Sequence, residues 1–475
     1  MGDTRGMRAC IAAFLASAAL GSNAVQTRYL DFGDTGQAKL LTADAAGNLF
    51  AVGLVTEASG LGQIRVIKTD ASGNVLGSID FGANASDSAA GAAVDAQGNL
   101  VIIGSTSSAN FPLVNALALN PPPRVPAAFV VKVDAQLETI LLSTLLGGTT
   151  GTFASGNAVA VDSKGNIYAA GATDEMNFPV TANAFQASIP IFGVGNNRFA
   201  TITEISPSGQ IVFSTFYAGT KSICQPPLCF GHGTAVPSAI AVDSSGNVIV
   251  AGNTTQSDLP TTAGAYAQQC SCNQAGFVAK FAPGGSKLVW ASLIPPQDNN
   301  SMALSSMALQ ANGIALGGVS TQASTRPLGL VARLDPTGSK LLSSTNVGAF
   351  VPTIVTPQPI AIDSQGLIWT TGPIYVEALS SEGTTVSSSF TTPAGASGQA
   401  IVTTANGPVS LGPTGSLLIG GNTEAPSLLG VANSAGSSVS GIVAPAELVS
   451  LYGAGIGPAT ALSGQIRTLD PEIRT

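Results

Sequence analysis

Short apolar runs alternate with polar turns along most of the chain. The runs are rich in Val, Ile, Ala and Phe, as in SAIAV before Asp243 and NVIVAG after it. Runs of this length and composition, bounded by Gly, Asn, Asp and Ser, predict buried strands that are joined by hairpins. The pattern therefore predicts an all-β fold.

One turn sequence, Asp-x-x-Gly-Asn, recurs between the apolar runs. Counted by the first residue of the turn, its full and weaker copies begin at Asp44, Asp95, Asp162, Asp243, Leu309, Asp363 and Gly412. A looser series alternates with the first and begins at Asp70, Asp134, Ser206, Ala282, Asp335 and Ser380. Two hairpins per unit make four strands, and four-stranded units arranged radially make a β-propeller. The count predicts a seven-bladed propeller, with six blades and a stray hairpin as the alternative.

Two further features concern packing and closure. A glycine recurs late in the second strand of a unit, where converging sheets would leave no room for a side chain: Gly53, Gly104, Gly171, Gly252 and Gly372. The seventh unit has one hairpin near 409–421 and no second one, whereas TRYLDFGD (27–34) resembles the fourth strand VLGSIDFGA (75–83). We therefore expect the N-terminal strand to complete the last blade, so that neither end leaves a bare sheet edge.

Composition and the N-terminus suggest an exported protein. Hydrophobic residues make up 45% and charged residues 9% of the 475 residues. The net charge of −8 and the lack of any basic run argue against nucleic-acid binding. Arg5 and Arg8 precede an apolar stretch from Ala9 to Leu20, which predicts a signal peptide over 1–24, with an uncleaved anchor as the alternative. We expect no transmembrane segment in the mature chain and a secreted or cell-surface location.

Motifs within the units resemble a known repeat. The stretch AVAVDSKGNIYAAGATDEMNFPVTANAFQ (158–186), followed by FVAK-type strands such as 277–280, resembles the SBBP β-propeller repeat of bacterial exported proteins. The resemblance extends over roughly 28–425 and is strongest in units two to four. The stretch GIVAPAELVSLYGAGIGPATA (441–461) resembles the opening of a C-terminal module on exported proteins of acidobacteria related to Solibacter. The predicted domains are a propeller over 25–430 and an incomplete module over 431–475.

The repeated turns are predicted to be structural. Calcium would need six to eight oxygen ligands, and each turn offers one carboxylate. An Asp that caps the turn and a Gly in the left-handed conformation explain the motif without a ligand. The predicted structural residues are Asp44, Asp95, Asp162, Asp243, Asp363, Gly47, Gly98, Gly165, Gly246 and Gly366. A series of cations two residues before the second turn could bind acidic glycans, or its stems could simply pack along the strands: Lys68, Lys132, Lys280 and Arg333.

The cysteines predict disulfides in long loops. Removal of the signal peptide would leave Cys224 and Cys229 in one loop and Cys270 and Cys272 in another. An even number in an exported chain favours disulfides, with zinc bound by four thiolates as the alternative. We expect bridges between the two loops, because a bridge between Cys270 and Cys272 would strain its geometry.

The long loops also predict where a ligand would bind. The segments 105–127, 173–198, 219–237 and 254–275 should emerge on the face opposite the Asp-x-x-Gly-Asn turns. The residues expected on that ligand face are Phe111, Phe178, Phe185, His232 and Tyr266. His232 is the only histidine in the chain, and no nucleophile motif or carboxylate pair accompanies it.

These features predict a monomeric, non-catalytic propeller without a cofactor, which binds or scaffolds a protein or a polysaccharide. One alternative is a lyase or lactonase with an axial active site. The other is a cell-surface structural protein.

Overall fold

The computed structural model describes most of the chain, and the statements below refer to that part. For the ring, the described residues are 26–33, 36–56, 62–119, 126–189, 197–221, 233–296, 301–321, 328–347, 358–372, 375–391 and 398–420. Backbone is also described for 427–433 and 449–454. The predicted signal peptide (1–24), most of the predicted C-terminal module, Cys224, Cys229 and His232 lie outside the described residues.

Seven four-stranded antiparallel sheets form a β-propeller, as the repeats predict. Six of the sheets take their strands in chain order. Blade 1 contains β2 (Gln37–Ala43), β3 (Leu49–Thr56), β4 (Gly62–Thr69) and β5 (Val75–Phe81); blade 2 contains β6 (Asp87–Val94), β7 (Leu100–Thr106), β8 (Ala127–Val133) and β9 (Ile140–Leu146); blade 3 contains β10 (Ala154–Val161), β11 (Ile167–Thr173), β12 (Phe199–Ile205) and β13 (Ile211–Tyr217).

The same order continues through the next three blades. Blade 4 contains β14 (Ala235–Val242), β15 (Val248–Thr254), β16 (Ala275–Phe281) and β17 (Leu288–Ile294); blade 5 contains β18 (Ser301–Gln310), β19 (Gly313–Thr321), β20 (Leu328–Leu334) and β21 (Leu341–Val347); blade 6 contains β22 (Ile360–Ile362), β23 (Ile368–Gly372), β24 (Tyr375–Leu379) and β25 (Val386–Thr391). The first strands of successive blades contact one another, so they form the innermost ring. The fourth strands form the outer edge.

Blade 7 combines the two ends of the ring, as predicted. Its strands are β26 (Ala400–Thr404), β27 (Gly407–Leu411) and β28 (Ser416–Ile419), followed by β1 (Gln26–Tyr29) as the outermost strand. β1 pairs antiparallel with β28, and Thr27 lies opposite Leu418. The N-terminal strand therefore closes the propeller.

The position assigned to the Gly412 turn from sequence is wrong. This turn joins β27 to β28, which are the second and third strands of blade 7. The first hairpin of blade 7 instead turns at Ala405–Asn406, between β26 and β27. The sequence TTANG at that turn lacks an Asp, whereas GPTGS at 412–416 has the Gly spacing of the repeated turn. The blade count is unaffected, because β1 supplies the missing fourth strand.

The antiparallel order gives the propeller two faces. The turns between first and second strands and between third and fourth strands lie on one face, which we call the turn face. Connections between second and third strands and between consecutive blades lie on the other, which we call the loop face.

The innermost strands of blades 1 to 5 each contain a β-bulge. The extra residues, which lie at one position in each blade, are Lys39, Ala90, Asn157, Ser238 and Ser305. The recurring glycine of the second strand lies opposite the residue before the bulge, as Gly104 does opposite Ala89. A Cβ on Gly104 would clash with the Ser88 carbonyl and the Phe129 ring. Contacts within the blade therefore explain this glycine, rather than the convergence of sheets at the axis.

Apolar side chains fill the spaces between neighbouring blades. Phe129 of blade 2, for example, is fully buried in a cluster that also contains Phe50 and Ile64 of blade 1. Each of the larger clusters joins two consecutive blades, so burial of apolar surface holds the ring together.

Two strands follow the ring in the sequence. β29 (Ser427–Asn433) and β30 (Val449–Ala454) pair antiparallel and belong to a separate compact unit. They cover only a small part of the predicted C-terminal module, which stays a prediction. Within the described residues there is no helix of the length and apolar character needed to cross a membrane.

The glycine constraint predicts a strong position effect. Replacing Gly104 with Ala should lower the free energy of unfolding by about 2–3 kcal/mol, because the new Cβ must displace backbone and a ring. The matched control is Gly77→Ala in β5, where the nearest atom to a Cβ would be the Gln136 carbonyl oxygen at 3.5 Å. Urea denaturation of both variants measures the difference, and equal stabilities would contradict the packing explanation.

Candidate functional site

On the turn face, each Asp of the repeated motif organises its own turn. Asp44 accepts hydrogen bonds through Oδ1 from the N–H groups of Ala46 (3.0 Å) and Asn48 (2.9 Å), and through Oδ2 from Asn48 Nδ2 (2.7 Å). Gly47 has a φ of +85°, which favours glycine. The carboxylate is thus satisfied inside the turn, as capping requires.

A further donor to this Asp comes from the strands and differs between blades. In blades 2 and 4 it is the lysine of the third strand, with Lys132 Nζ 2.7 Å from Asp95 and Lys280 Nζ 2.8 Å from Asp243. Burial alone would raise the pKa of Asp95, but hydrogen bonds from Lys132 and Asn99 hold the pKa below its ordinary value. Most of the cation series is therefore committed to the turns.

Two blades without that lysine use an aromatic donor instead. In blade 6, where Ala378 replaces the lysine, Trp369 Nε1 donates to Asp363 Oδ2 at 2.9 Å. In blade 3, where Glu204 replaces it, the Tyr168 hydroxyl donates to Asp162 Oδ2 at 3.1 Å. The aromatic residue comes from the second strand, directly opposite the missing cation. A donor from the second or third strand therefore bonds this Asp in blades 2, 3, 4 and 6, whereas Lys68 of blade 1 donates to the Ala135 carbonyl at 2.7 Å instead.

The blade 3 turn brings two carboxyl groups to one hydroxyl. Glu204 is buried and also hydrogen-bonds Tyr168, whose single hydroxyl proton cannot serve both acids. Burial raises the pKa of Glu204, and the charge of Asp162 acts in the same direction. Protonated Glu204 can donate to the Tyr168 oxygen while Tyr168 donates to Asp162.

On the loop face, the predicted ligand residues Phe111 and Phe178 are wrong for that role. Both are only 5% exposed. Phe111 stacks on Phe129 at 5.0 Å between ring centroids, and Phe178 packs against Phe216 at 6.0 Å. The chain folds back at the following proline and inserts each ring between blades, so neither ring is accessible to a ligand.

Polar residues just before Phe178 and just before Leu259, its counterpart in blade 4, bind the preceding connection between blades. Asn177 Oδ1 accepts the N–H groups of Thr149 (3.0 Å) and Thr150 (3.2 Å), and Asp258 Oδ1 accepts those of Thr220 and Lys221, both at 2.8 Å. Asn177 and Asp258 therefore bond the loop of a blade to the connection that leads into the same blade.

A second, buried position in these loops also accepts a backbone N–H from the preceding connection. The residue at this position differs among blades 2, 3 and 4. The N–H groups of Ala85, Gly148 and Gly219 donate to Ser108 Oγ, Glu175 Oε2 and Gln256 Oε1. Burial raises the pKa of Glu175, although the hydrogen bond from Gly148 opposes the shift.

The expectation that the long loops build up the loop face is wrong for blades 2 to 4. Their loops run along the outermost strand of their own blade. Val114 and Ser143 exchange two backbone hydrogen bonds (3.0 and 2.7 Å), Thr181 N–H donates to the Ser214 carbonyl (3.0 Å), and Thr262 N–H donates to the Ala291 carbonyl (3.1 Å). An outer strand would otherwise present unpaired backbone groups. These segments form what we call the outer belt: 114–117, 181–186 and 262–267.

The outer belt also joins each blade to the next. Phe185 N–H donates to the Gly285 carbonyl (3.1 Å) and Tyr266 N–H to the Gly338 carbonyl (2.9 Å), both in turns of the following blade. Phe185 is half-buried against Tyr217 and Phe281, with centroids 6.4 and 5.7 Å away. Tyr266 is 39% exposed. Both residues therefore lie at the outer edge beside the turn face, and not on the predicted ligand face.

The predicted bridges between two loops are also wrong for the described cysteines. Cys270 and Cys272 form a disulfide with each other, with Cα atoms 5.4 Å apart. Residues two apart in an extended strand are separated by about 6.6 Å, whereas the chain bends at Cys272 and Asn273 and this pair lies within the ordinary disulfide range. Cys272 is buried in the core cluster of blades 3 and 4, so the bridge fixes the end of the outer belt.

The innermost bulges form a feature that sequence reasoning missed. A bulge leaves a carbonyl without a partner in its own sheet, and a side chain of the preceding blade bonds it. Lys39 Nζ donates to the Ala89 carbonyl (2.8 Å), Asn157 Nδ2 to the Pro237 carbonyl (2.9 Å) and Asn253 Nδ2 to the Leu304 carbonyl (2.8 Å). The only signal in the sequence is a polar residue that interrupts the small apolar residues of the first strand.

The Glu204 environment predicts a pH effect on stability. Because its pKa is raised in the folded protein, the contribution of Glu204 to stability falls as pH rises from its ordinary value through the raised one. Glu204→Gln keeps a donor to Tyr168 without a charge. The variant should gain stability relative to the wild type, by the order of 1 kcal/mol, between pH 4 and pH 7. Urea denaturation across this range tests it, and a constant difference at every pH would contradict it.

The comparison with protein families agrees with the fold. A family model described as the SBBP beta-propeller repeat matches residues 143–179. This stretch begins in β9 of blade 2 and ends after β11 of blade 3, so a sequence repeat spans parts of two blades. The crystal structure of an unknown-function protein from Dyadobacter fermentans DSM 18053 is 8% identical, with a TM-score of 0.42 over 75% of this chain and 94% of that chain. No curated protein matches the sequence. Over residues 143–179, the chain is therefore similar to SBBP β-propeller repeats.

Proposed function

We propose that this protein is an exported, non-catalytic β-propeller that binds a protein or a polysaccharide, or holds such partners as a scaffold. One observation carries the proposal. Ser108, Glu175 and Gln256 occupy the same buried position in three blades and accept the same kind of backbone hydrogen bond. This position requires a hydrogen-bond acceptor, and the carboxylate of the buried Glu175 serves as one. The fold therefore explains the buried acid without acid–base chemistry.

The other loop-face acids are committed in the same way. Asp174 accepts the N–H groups of Thr152 (2.9 Å) and Phe153 (2.8 Å), and Asp87 accepts the N–H of Ala83 (2.7 Å). Carboxylates that hold backbone N–H groups in place are suited to keeping a surface rigid. A rigid surface lowers the entropy that binding must overcome.

The outer edge offers a surface for a protein partner. The second residue of the outermost strand is an exposed aliphatic residue in five successive blades, with exposed fractions between 38 and 57%: Leu76, Leu141, Val212, Val289 and Leu342. We call this set the outer aliphatic row. The repetition of an exposed apolar residue at one position in five blades supports a protein partner at this edge, provided that the five side chains act together as one surface.

Export is part of the proposal. The N-terminal sequence of Arg5, Arg8 and the following apolar stretch supports it. The Cys270–Cys272 disulfide supports it further, because disulfides persist in oxidising compartments.

A combined binding and turnover experiment tests the proposal. The chain without residues 1–24 is applied to glycan and peptide arrays and incubated with polysaccharide and lactone panels. We expect a reproducible array ligand and no turnover above the blank. Charge introduced into the outer aliphatic row by Val212→Lys and Val289→Lys should weaken binding of a peptide ligand, while Lys287→Met on the turn face serves as the control.

Two results would overturn the proposal. Turnover that is lost in Glu175→Gln or His232→Ala would show an enzyme, since Gln256 already fills the position of Glu175 in blade 4 without loss of fold. Complete silence on both arrays would instead favour a structural protein of the cell surface.

A further inference from the structure

Three polar side chains on the innermost strands, which surround the axis of the ring, are exposed to solvent. The exposed side chains are those of Gln37 and Lys39 in β2 and of Ser88 in β6, although neighbouring blades pack against both sides of these innermost strands. The residues at the same positions in blades 3 to 5 are all half-buried: Ser155, Val236, Ala303, Asn157, Ser238 and Ser305. The side chains of Gln37, Lys39 and Ser88, which we call the axial polar patch, therefore lie where solvent reaches the axis at the loop face.

Among the described residues, Lys39 forms no ion pair. Its Nζ lies 2.8 Å from the Ala89 carbonyl oxygen, next to Ser88. The four ion pairs among the described residues involve Arg65, Lys132, Arg198 and Lys280. Although the side chain is exposed, the neighbouring strands partly desolvate the Lys39 ammonium group, which lowers its pKa. An ammonium group has three N–H donors, so two are left after the bond to Ala89.

The structural work of Lys39 does not require a charge. In blade 3 the neutral amide of Asn157 bonds the equivalent carbonyl, that of Pro237. In blade 5 the hydroxyl of Ser305 bonds the Gln358 carbonyl of blade 6 at 3.2 Å. Neutral donors therefore suffice to join neighbouring blades at their bulges. The positive charge in blade 1 is surplus to that role.

We propose that the axial polar patch binds the carboxylate of an acidic sugar. The Lys39 ammonium takes the carboxylate, and the Ser88 hydroxyl and the Gln37 amide bond the hydroxyl groups of the ring. An amide and a hydroxyl each both donate and accept, as sugar hydroxyls do. The inference rests on the proposed function, since it names a ligand class for a binding propeller.

The overall charge of the chain does not prevent this contact. The net charge of −8 repels anions at long range. Charges on the exposed surface are largely screened beyond about 10 Å at 0.1 M salt, whereas a contact between an ammonium and a carboxylate acts over about 3 Å. The local ion pair therefore dominates once the sugar has reached the axis.

Ligand titration tests the site. D-galacturonate is titrated into the chain without residues 1–24 and followed by NMR, with D-galactose as the neutral counterpart. We expect saturable binding of galacturonate and binding of galactose at least about tenfold weaker.

Three variants separate charge from structure. Lys39→Gln keeps a neutral donor for the Ala89 carbonyl, by analogy with Asn157, and should weaken galacturonate binding at least about tenfold. Lys39→Arg should retain it. Lys164→Gln removes a cation from the turn face of blade 3 and should change nothing. Circular dichroism melting confirms that each variant is folded, and the comparison of galacturonate with galactose on the wild-type chain still tests the site if Lys39→Gln does not fold.

Several outcomes would overturn the inference. Equal binding of galactose and galacturonate, or undiminished binding by Lys39→Gln, would exclude Lys39 as the carboxylate site. Binding of acetylated peptides through their terminal carboxylate, with no binding of galacturonate, would assign the patch to a peptide. If galacturonate fails while the arrays yield another ligand, this inference fails and the proposed function stands; if the arrays are also silent, both fail.

Discussion

Antiparallel pairing of β1 with β28 is the interaction on which the ring depends. Each blade packs mainly on its two neighbours, and the first strands of blades 1 and 7 contact each other directly, while the N-terminal strand completes the last sheet. β1 has four residues, all exposed, and it contributes hydrogen bonds rather than a large apolar surface. Without it β28 would become a free edge next to the apolar cluster that combines Leu49 of blade 1 with Leu417 of blade 7.

Two further sets of contacts join neighbouring blades in the closed ring, one near the axis and one at the outer edge. Near the axis, the β-bulges of blades 2, 4 and 5 each leave a carbonyl that a side chain of the preceding blade bonds, as Asn157 does for Pro237. At the outer edge, the outer belt covers the outermost strands of blades 2 to 4 and reaches the turn of the next blade. Blade 1 has only five residues between β3 and β4, and its outermost strand is more exposed than that of blade 2, 3 or 4. The loops thus contribute to the ring itself, so that few of the predicted ligand residues reach solvent.

The repeats predicted the fold because the contacts that define a blade are local. One can recognise the hairpin turns and the alternation of strands within a few dozen residues. The same holds for the likeness of the N-terminal strand to the fourth strand of the next unit. The errors concern contacts with distant chain. A Phe before a Pro in a loop, such as Phe178, is compatible with either a ligand surface or burial, and only the neighbouring blade decides between them.

The site residues were less predictable for the same reason. The course of a loop depends on which unpaired edge lies within reach, which placed Phe185 and Tyr266 at the outer edge. The Cys270–Cys272 disulfide depends on a local bend that spacing alone does not reveal. The charge of Lys39 is conspicuous only when its position is aligned with the positions of Asn157 and Ser305. That alignment depends on the β-bulges, and a bulge shifts the strand register without a characteristic residue type in the sequence. Apolar residues within the loops, Val114 and Phe185 among them, were the one available signal that these loops are packed.

Cross-linking of β1 to β28 tests the closed ring most directly. Opposite residues in antiparallel strands have Cα atoms about 4.5–5.5 Å apart, within the range that a disulfide spans. The variant with Thr27→Cys and Leu418→Cys joins one such pair. The account predicts an intramolecular disulfide between positions 27 and 418, identified by mass spectrometry of peptides, together with a rise in melting temperature that a reductant reverses. A folded variant in which these two cysteines stay unlinked, or link only between molecules, would contradict the closure of blade 7 by β1.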